Sequence, residues 1–239
     1  MKSFLATLSQ LVFTFAMYLM AIFVMGLSMG PGLFLCYKIW TASAGVPMPV
    51  RFSFMAFGIA TAYILYGIFL IMNAGTVCKL FNLKLKEGEH HIISAGAAKW
   101  AFANGLHQIV AATFSDFILL TPLANFFYRL MGAKIGKNVQ INSKFCADLS
   151  LLEIDDGAVI GGHATVICHS FERNRLILKK VRIGKKAIIG LNSVILPGSE
   201  IGDGALIAAG AVIGKNTKVE PRSVYCGVPA EPARDRRRE

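Results

Sequence analysis

An apolar first half and a six-residue repeat in the second half predict an α-helical membrane region followed by an all-β left-handed parallel β-helix. Hydrophobic residues make up 54% of the 239 residues, and the mean hydropathy of +0.55 is too high for an ordinary soluble protein. We therefore expect two transmembrane helices within residues 1–82 and an amphipathic or interfacial helical linker over 83–132. The β-helix is expected over 133–234, and a basic tail over 235–239.

Two runs without charged side chains, from Ser3 to Tyr37 and from Phe52 to Cys78, are each long enough to cross a bilayer. A hydrocarbon core of roughly 30 Å needs about 20 apolar residues. A signal peptide is the alternative for the first run, but its apolar core would be only roughly 7–15 residues long. Two spans put both chain ends on one side, and the basic residues near those ends predict that this side is the cytoplasm. The protein is therefore expected to be a multi-pass protein of the inner or plasma membrane.

The stretch between Trp100 and Tyr128 has one apolar and one polar face at helical spacing. It predicts a helix that lies on the membrane surface or packs on the other helices, and that ends before Pro122. A third transmembrane span is the alternative, and it would carry the second half of the chain to the far side. His107 is interpreted as a polar-face residue without a chemical role.

From residue 177 onward an aliphatic residue recurs every six positions, and a small residue usually stands two positions before it. Six residues form one short strand and one corner, and three such sides form a triangular coil with the aliphatic residues inside. Gly, Asn and Asp supply the turn conformations at the corners. Such coils wind left-handed, an exception to the usual right-handed crossover. The recurring residues are Ile177, Ile183, Ile189, Ile195, Ile201, Ile207, Ile213, Val219 and Tyr225, after an earlier run at Ile135, Ile141, Ile154, Ile160 and Val166.

The register of the repeat breaks after His169, because Val166 and Ile177 are eleven positions apart. Residues 170–176 are therefore expected to leave the prism as a small excursion. His163 and His169 both fall on corners, one hexad apart, and both can point outward. Only His169 is followed by the excursion, which can wall off a cleft against a neighbouring subunit. His163 is interpreted as an ordinary corner residue.

Four segments of the repeat carry a recognisable pattern: Ile188-Ile189-Gly190, Leu196-Pro197-Gly198-Ser199-Glu200-Ile201-Gly202, Ile207-Ala208-Ala209-Gly210-Ala211 and Gly227-Val228-Pro229-Ala230. They resemble the hexapeptide-repeat acyltransferases, such as the maltose, galactoside and colanic-acid acetyltransferases. The membrane-attached C-terminal domain of poly-lysine synthases is also similar, through Pro122, Arg129, Gly132, Ile135, Gly136 and His169-Ser170-Phe171-Glu172. The resemblance covers roughly residues 120–234.

This resemblance implies a membrane-anchored acyltransferase that works as a homotrimer and moves an acetyl or other acyl group from acyl-CoA to a hydroxyl. The membrane anchor makes a membrane-associated acceptor the expected substrate, such as a lipid-linked sugar or a glycolipid. An N-acyltransferase with an amine acceptor and a non-catalytic assembly module are the alternatives. A zinc enzyme of related fold would need three histidine ligands. The repeat region contains only two histidines, so no metal is expected.

In this family the histidine that matches His169 is the catalytic base, so His169 is expected to remove the proton of the acceptor. Imidazole suits the task because its ordinary pKa near 6.5 leaves it mostly neutral at pH 7. Glu172 in the excursion and Asp148 from the preceding coil are both candidates for the partner that orients the ring. The family often has Asn at the position that Asp148 roughly matches. A carboxylate there could orient a cationic imidazole or bind a cationic acceptor.

The resemblance also places acyl-CoA along the β-helix between two subunits. Backbone amides near Gly190 would face the thioester carbonyl, while Ala209 and Lys215 would contact the pantetheine and the phosphates. Arg234 would lie near the nucleotide. Simple solvation is the alternative for the two basic side chains. Position 188, commonly Trp in the family, is Ile here, which changes that wall of the site.

Charge and cysteine content narrow the expected partners. The formal net charge is +11, and 17 of the 25 basic residues lie from Lys134 onward. This distribution favours contact with anionic lipid headgroups or anionic substrates. No recognition helix or aromatic-basic motif supports nucleic-acid binding. The five cysteines are odd in number and lack CxxC spacing, so neither a disulfide framework nor a zinc site is expected.

Overall fold

The computed structural model describes residues 2–233, except for the side chains of residues 2–6 and 9. Arg234 and the basic tail at 235–239 lie outside the described residues. The chain divides into two compact units, Met1–Val77 and Cys78–Glu239.

The first unit consists of α1 (Lys2–Ala42) and most of α2 (Met48–Leu80). The segments Gln10–Ala42 and Met48–Leu80 are long and apolar enough to cross a membrane by length and composition. The first helix continues through Pro31. A polar pair joins the two helices, because the side-chain amide of Asn73 donates to the hydroxyl of Ser28 at 3.0 Å.

The second unit begins with a strand and three helices: β1 (Gly88–His91), α3 (Ala95–Thr113), α4 (Ser115–Ile118) and α5 (Pro122–Leu130). The hydroxyl of Ser94 caps α3 by accepting from the backbone N–H of Ala97. Pro122 is the first residue of α5, a position where proline is favoured because it needs no N–H donor. His90 and His91 lie in the strand β1.

The helix α5 packs on the first coil of the β-helix. Its residues donate hydrogen bonds to that coil: Asn125 to the carbonyl of Val139 at 2.8 Å, and Tyr128 to the carbonyl of Ser143 at 3.1 Å. The guanidinium of Arg129 donates to two further carbonyls of the coil. The linker thus closes the end of the prism.

The β-helix has three faces of parallel strands. The first face contains β2 (Lys134–Ile135), β4 (Leu152–Ile154), β9 (Val181–Ile183), β12 (Glu200–Ile201) and β15 (Lys218–Val219). The second contains β3 (Gln140–Ile141), β5 (Val159–Ile160), β10 (Ile188–Ile189), β13 (Leu206–Ile207) and β16 (Val224–Cys226), to which β17 (Glu231–Pro232) adds antiparallel. The third contains β6 (Thr165–Val166), β11 (Val194–Ile195) and β14 (Val212–Ile213). The parallel β-helix that the repeat predicts is confirmed, with the repeating aliphatic residues buried inside from Ile183 onward.

The excursion from the prism is a hairpin of β7 (His169–Glu172) and β8 (Arg175–Leu178), and β1 adds to its outer edge. Ile154 pairs with Ile183, 29 positions on, whereas Ile183 pairs with Ile201 after 18 positions, as one coil requires. The excursion predicted over residues 170–176 is shorter than the observed hairpin, which runs from His169 to Leu178. Ile177 lies in β8 opposite Ser170 and is not part of the prism, because the alternation of a strand turns Leu176 and Leu178 inward instead.

Candidate active site

His169 stands where the chain leaves the third face of the prism. It is the first residue of β7, and the residue before it, Cys168, is fully buried. The side chain of His169 is 21% exposed, so the imidazole is mostly covered and still reaches solvent. The corner therefore presents a histidine that is held by its surroundings and accessible from outside.

Asp148 approaches His169 from the preceding coil. Its backbone is left-handed (φ 56°), a conformation that Asp tolerates better than most residues, and it leads into the short 3-10 helix Leu149–Leu151. The side chain of Asp148 is fully buried, and its Oδ2 lies 2.6 Å from Nδ1 of His169. The backbone N–H of Cys168 donates to the same oxygen at 3.0 Å.

The other carboxylate oxygen of Asp148 is held by the helix α3. Trp100 Nε1 donates to Oδ1 at 2.7 Å, and the amide nitrogen of Asn104 donates to it at 2.8 Å. Asn104 Oδ1 in turn accepts the backbone N–H of Asp148 at 3.2 Å. Sequence reasoning missed both helix residues. The sequence feature that could have indicated these two residues is the polar face of the helix, where Asn104 follows Trp100 by one turn.

These contacts favour the ionised form of Asp148. Burial alone would raise the pKa of Asp148, but hydrogen bonds from His169, Asn104 and Trp100 outweigh it and hold the pKa below its ordinary value. An ionised carboxylate can only accept hydrogen bonds, so Nδ1 of His169 carries the proton that it donates. In the neutral form of the ring, Nε2 of His169 holds a lone pair, and among residues 2–233 it has no hydrogen-bond partner.

Aromatic rings surround the imidazole of His169. The ring of Trp100 meets it edge-on, with centroids 4.9 Å apart, and the ring of Phe171 lies at 5.8 Å. Phe171 also meets Trp100 edge-on at 5.3 Å and is itself 52% exposed. The imidazole of His169 is thus fixed in orientation by a carboxylate and in position by two rings.

Glu172 lies further along the excursion and turns away from the histidine. Its carboxylate pairs with Lys215 Nζ at 2.7 Å and accepts from the hydroxyl of Ser170 at 3.2 Å. The hydrogen bond from Lys215 lowers the pKa of Glu172. Of the two carboxylates considered as partners of His169, the fold brings only Asp148 to the ring.

Three residues expected to contact acyl-CoA, Gly190, Ala209 and Lys215, lie next to the short strands of the prism. A side-chain Cβ at Gly190 would be 2.5 Å from the backbone nitrogen of Ala209 in the next coil, so only glycine fits there. The N–H of Gly190 already donates to the carbonyl of Ile207 at 2.8 Å. Ala209 and Lys215 are exposed. Within the described chain none of these shares a hydrogen bond with the His169–Asp148 pair, and Arg234 lies outside the described residues.

Other reactive side chains nearby have different environments. His163 occupies an exposed corner in the left-handed conformation (φ 56°), close to the ring of Phe145. Burial raises the pKa of the Cys168 thiol well above its ordinary value, which disfavours a nucleophilic thiolate. Over residues 2–233, no group of three His, Cys, Asp or Glu side chains is placed to hold a metal ion.

Comparison with known families matches this architecture to a class of repeats. Residues 180–215 match the family model described as bacterial transferase hexapeptide (six repeats). The resemblance of these coils to hexapeptide-repeat transferases is therefore confirmed.

Particular relatives are more distant. Delta-poly-L-ornithine synthetase of Acinetobacter baumannii (strain AB307-0294) is 25% identical over 158 residues, which is 65% of this chain and 12% of that protein. This chain therefore spans only a small part of the length of the curated relative it matches. A solved maltose O-acetyltransferase from Clostridium difficile 630 is 18% identical with a TM-score of 0.49, covering 63% of this chain and 93% of that chain. A hexapeptide-repeat acetyltransferase from Vibrio cholerae O1 biovar eltor, solved with acetyl coenzyme A, is 19% identical with a TM-score of 0.49, covering 64% and 96%.

Proposed function

We propose that this protein is a membrane-anchored acyltransferase that takes an acyl group from acyl-CoA, with His169 as general base. The observation that carries the proposal is the buried Asp148 carboxylate. It accepts four hydrogen bonds, one of them from Nδ1 of His169, and thereby directs the Nε2 lone pair outward. The match of the following coils to a transferase repeat supports the same function.

The proposed chemistry is a single acyl transfer. Nε2 of His169 takes the proton from an acceptor hydroxyl as its oxygen attacks the carbonyl carbon of the thioester. The imidazolium that forms is stabilised by the charge of Asp148, at 2.6 Å from the opposite nitrogen. The tetrahedral intermediate collapses, the carbon–sulfur bond breaks, and the CoA sulfur leaves with the proton from Nε2.

Backbone donors are needed for the oxyanion of that intermediate. The N–H of Gly190 serves the coil-to-coil ladder, so donors from a neighbouring copy of the chain are the better source. We therefore propose a homotrimer in which acyl-CoA lies in the cleft between two copies. Lys215 and Arg234 would contact its phosphates, and Ala209 its pantetheine.

The two apolar helices of the first unit support a membrane-associated acceptor with a hydroxyl, such as a lipid-linked sugar or a glycolipid. Lys2 and the cluster of Lys79, Lys84 and Lys86 support a cytoplasmic position for the β-helix, although Lys38 and Arg51 flank the opposite loop. An amine acceptor is the second candidate. It is favoured by one observation, the likeness to delta-poly-L-ornithine synthetase, whose name denotes an amine-bearing polymer.

The test is the release of CoA from acetyl-CoA by the full chain in detergent micelles, with a panel of sugar and amine acceptors and mass detection of the product. His169→Asn should lower kcat by at least about a hundredfold, the usual contribution of a general base. His163→Asn is the matched control, because Asn tolerates the left-handed backbone of that corner and should change kcat by less than about twofold. If wild type neither binds nor turns over any acyl-CoA, the proposal is wrong and the β-helix is an assembly module.

A further inference from the structure

His107 is a buried histidine one helical turn beyond Asn104 on α3, where the sequence predicted a polar face without a chemical role. Its ring stacks on Phe127, with centroids 6.1 Å apart and planes within 13°, and it meets Tyr128 edge-on. The residue is only 5% exposed. Its Nε2 atom is inaccessible and has no hydrogen-bond partner among residues 2–233.

A histidine in this environment is neutral. Burial lowers the pKa of His107 to about 4, although the nearby charge of Asp148 acts in the opposite direction. A neutral ring still has one donor nitrogen and one acceptor nitrogen. The nitrogen at Nε2 requires a partner, because an unpaired buried polar atom is costly and rare in native proteins.

His107 lines a cavity of about 10 Å³. Asn104, Asp148 and Ser150 also line it, together with apolar side chains. A cavity needs a volume of at least about 10–15 Å³ to hold one water molecule, and the water needs two to four polar partners.

The lining groups have unused hydrogen-bonding capacity. The hydroxyl oxygen of Ser150 accepts the N–H of Leu85 at 2.9 Å and keeps its own proton free to donate. Asn104 Oδ1 accepts a single long bond of 3.2 Å, from the N–H of Asp148, and has a second lone pair. Together with Nε2 of His107, these atoms offer a water both donors and acceptors.

We propose that one water molecule bound in this cavity joins Nε2 of His107 to the Asn104–Asp148 pair, which makes His107 a positioning residue for the base. The bridge fixes the amide of Asn104, the amide fixes the carboxylate of Asp148, and the carboxylate orients His169. This role rests on the proposed acyl transfer, whereas the bound water does not.

Two variants of His107 in the full-length protein separate positioning from packing. His107→Leu keeps a side chain of similar size and removes the polar atom. His107→Gln keeps a polar group that can reach the water. We expect the Leu variant to lose about tenfold in kcat, the lower end of the losses found when outer-shell partners of metal-binding histidines are removed, with KM for acetyl-CoA within about twofold. The Gln variant should recover most of that loss.

Thermal unfolding and an experimental structure that resolves waters test the bridge without any assay of activity. With the water present, Tm of the Leu variant should fall, since Asn104 and Ser150 then face an apolar group. With no water present, the same change removes an unsatisfied atom, so Tm should rise. Density within hydrogen-bond distance of His107 Nε2 in wild type, absent in the Leu variant, is the direct expectation.

The outcomes distinguish the two claims. Lack of water density, or a Leu variant with raised Tm and unchanged kcat, overturns the bridge. Equal losses of kcat in the Leu and Gln variants overturn the positioning role and leave a packing role. If wild type shows density for the water but no acyl transfer, the proposed function fails, and the positioning role fails with it.

Discussion

Asp148→Asn is the sharpest perturbation of the candidate site, because it keeps the shape of the side chain and replaces an acceptor by a donor. The carboxylate accepts from Trp100 and Asn104 on one oxygen, and from Cys168 N–H and His169 on the other. The asparagine must turn its NH₂ group toward one of these two pairs.

The cheaper orientation is the one that disables the base. On the side of Trp100 and Asn104, the NH₂ group would leave two donors unpaired, at about 1–3 kcal/mol each. On the other side only the Cys168 N–H is left unpaired, because His169 can move its proton from Nδ1 to Nε2 and accept instead. The second orientation is therefore favoured by about 1–3 kcal/mol, and it fills the lone pair that the reaction needs.

Loss of the charge adds to this effect. At about 4 Å and an effective dielectric constant of about 20, a carboxylate stabilises an imidazolium by about 4 kcal/mol. The two effects together raise the barrier by about 5–7 kcal/mol and predict a fall in kcat of about 10⁴–10⁵-fold. The one unpaired donor should lower the free energy of unfolding by about 1–3 kcal/mol. CoA release measures the first, and denaturant unfolding the second.

Asp116→Asn is the control. That carboxylate is exposed, and its ion-pair partner is Lys144 rather than any residue of the candidate site. A kcat for Asp148→Asn within tenfold of wild type would refute the reasoning. So would a variant that loses activity only because it no longer folds.

The pH dependence of stability gives a second readout of Asp148. Burial opposes ionisation, but hydrogen bonds from His169, Asn104 and Trp100 hold the pKa of the carboxyl below its ordinary value. The stabilisation is therefore present above the ordinary pKa near 3.9 and is lost as the pH falls through the depressed folded value. The stability difference between wild type and Asp148→Asn should narrow as the pH is lowered below about 4, and a difference that widens there would contradict this assignment.

Three further changes test neighbouring features. Trp100→Phe keeps a ring beside the imidazole but removes one donor to Asp148, so kcat should fall about tenfold; an unchanged kcat would mean that this bond is dispensable. Gly190→Ala places a methyl group 2.5 Å from the backbone of Ala209 and should lower the free energy of unfolding by about 1–3 kcal/mol, measured by thermal unfolding. Glu172→Gln breaks only an exposed ion pair, so kcat should stay within about twofold, and a tenfold loss would instead place this carboxylate at the reaction.

Much of the fold could be predicted from the sequence because every coil of the prism imposes the same spacing on its buried residues. Each short strand must put one aliphatic residue inside, so the period of six is written directly into the chain. The same periodicity misled at Ile177. This residue stands six positions before Ile183 but belongs to β8, whose period of two also supplies alternating aliphatic residues.

The candidate site could be predicted only in part, for a physical reason. His169 was marked by a break in register, which is a local signal. Trp100 and Asn104 reach Asp148 from 48 and 44 positions away, on a helix whose polar face suits water, headgroups or a buried carboxylate equally well. The sequence pattern of an amphipathic helix does not say which of these covers its polar face.

The position of β1 in the chain determines when the corner around His169 can fold during synthesis. Its partner β8 lies 84 to 90 positions later in the chain, since Gly88 pairs with Leu178 and His91 with Arg175. At about 5–20 residues per second, β1 is synthesised roughly 4–18 s before its partner strand β8. The corner that bears His169 therefore cannot reach its final form until two coils of the prism and the whole hairpin have been synthesised and β8 has paired with β1.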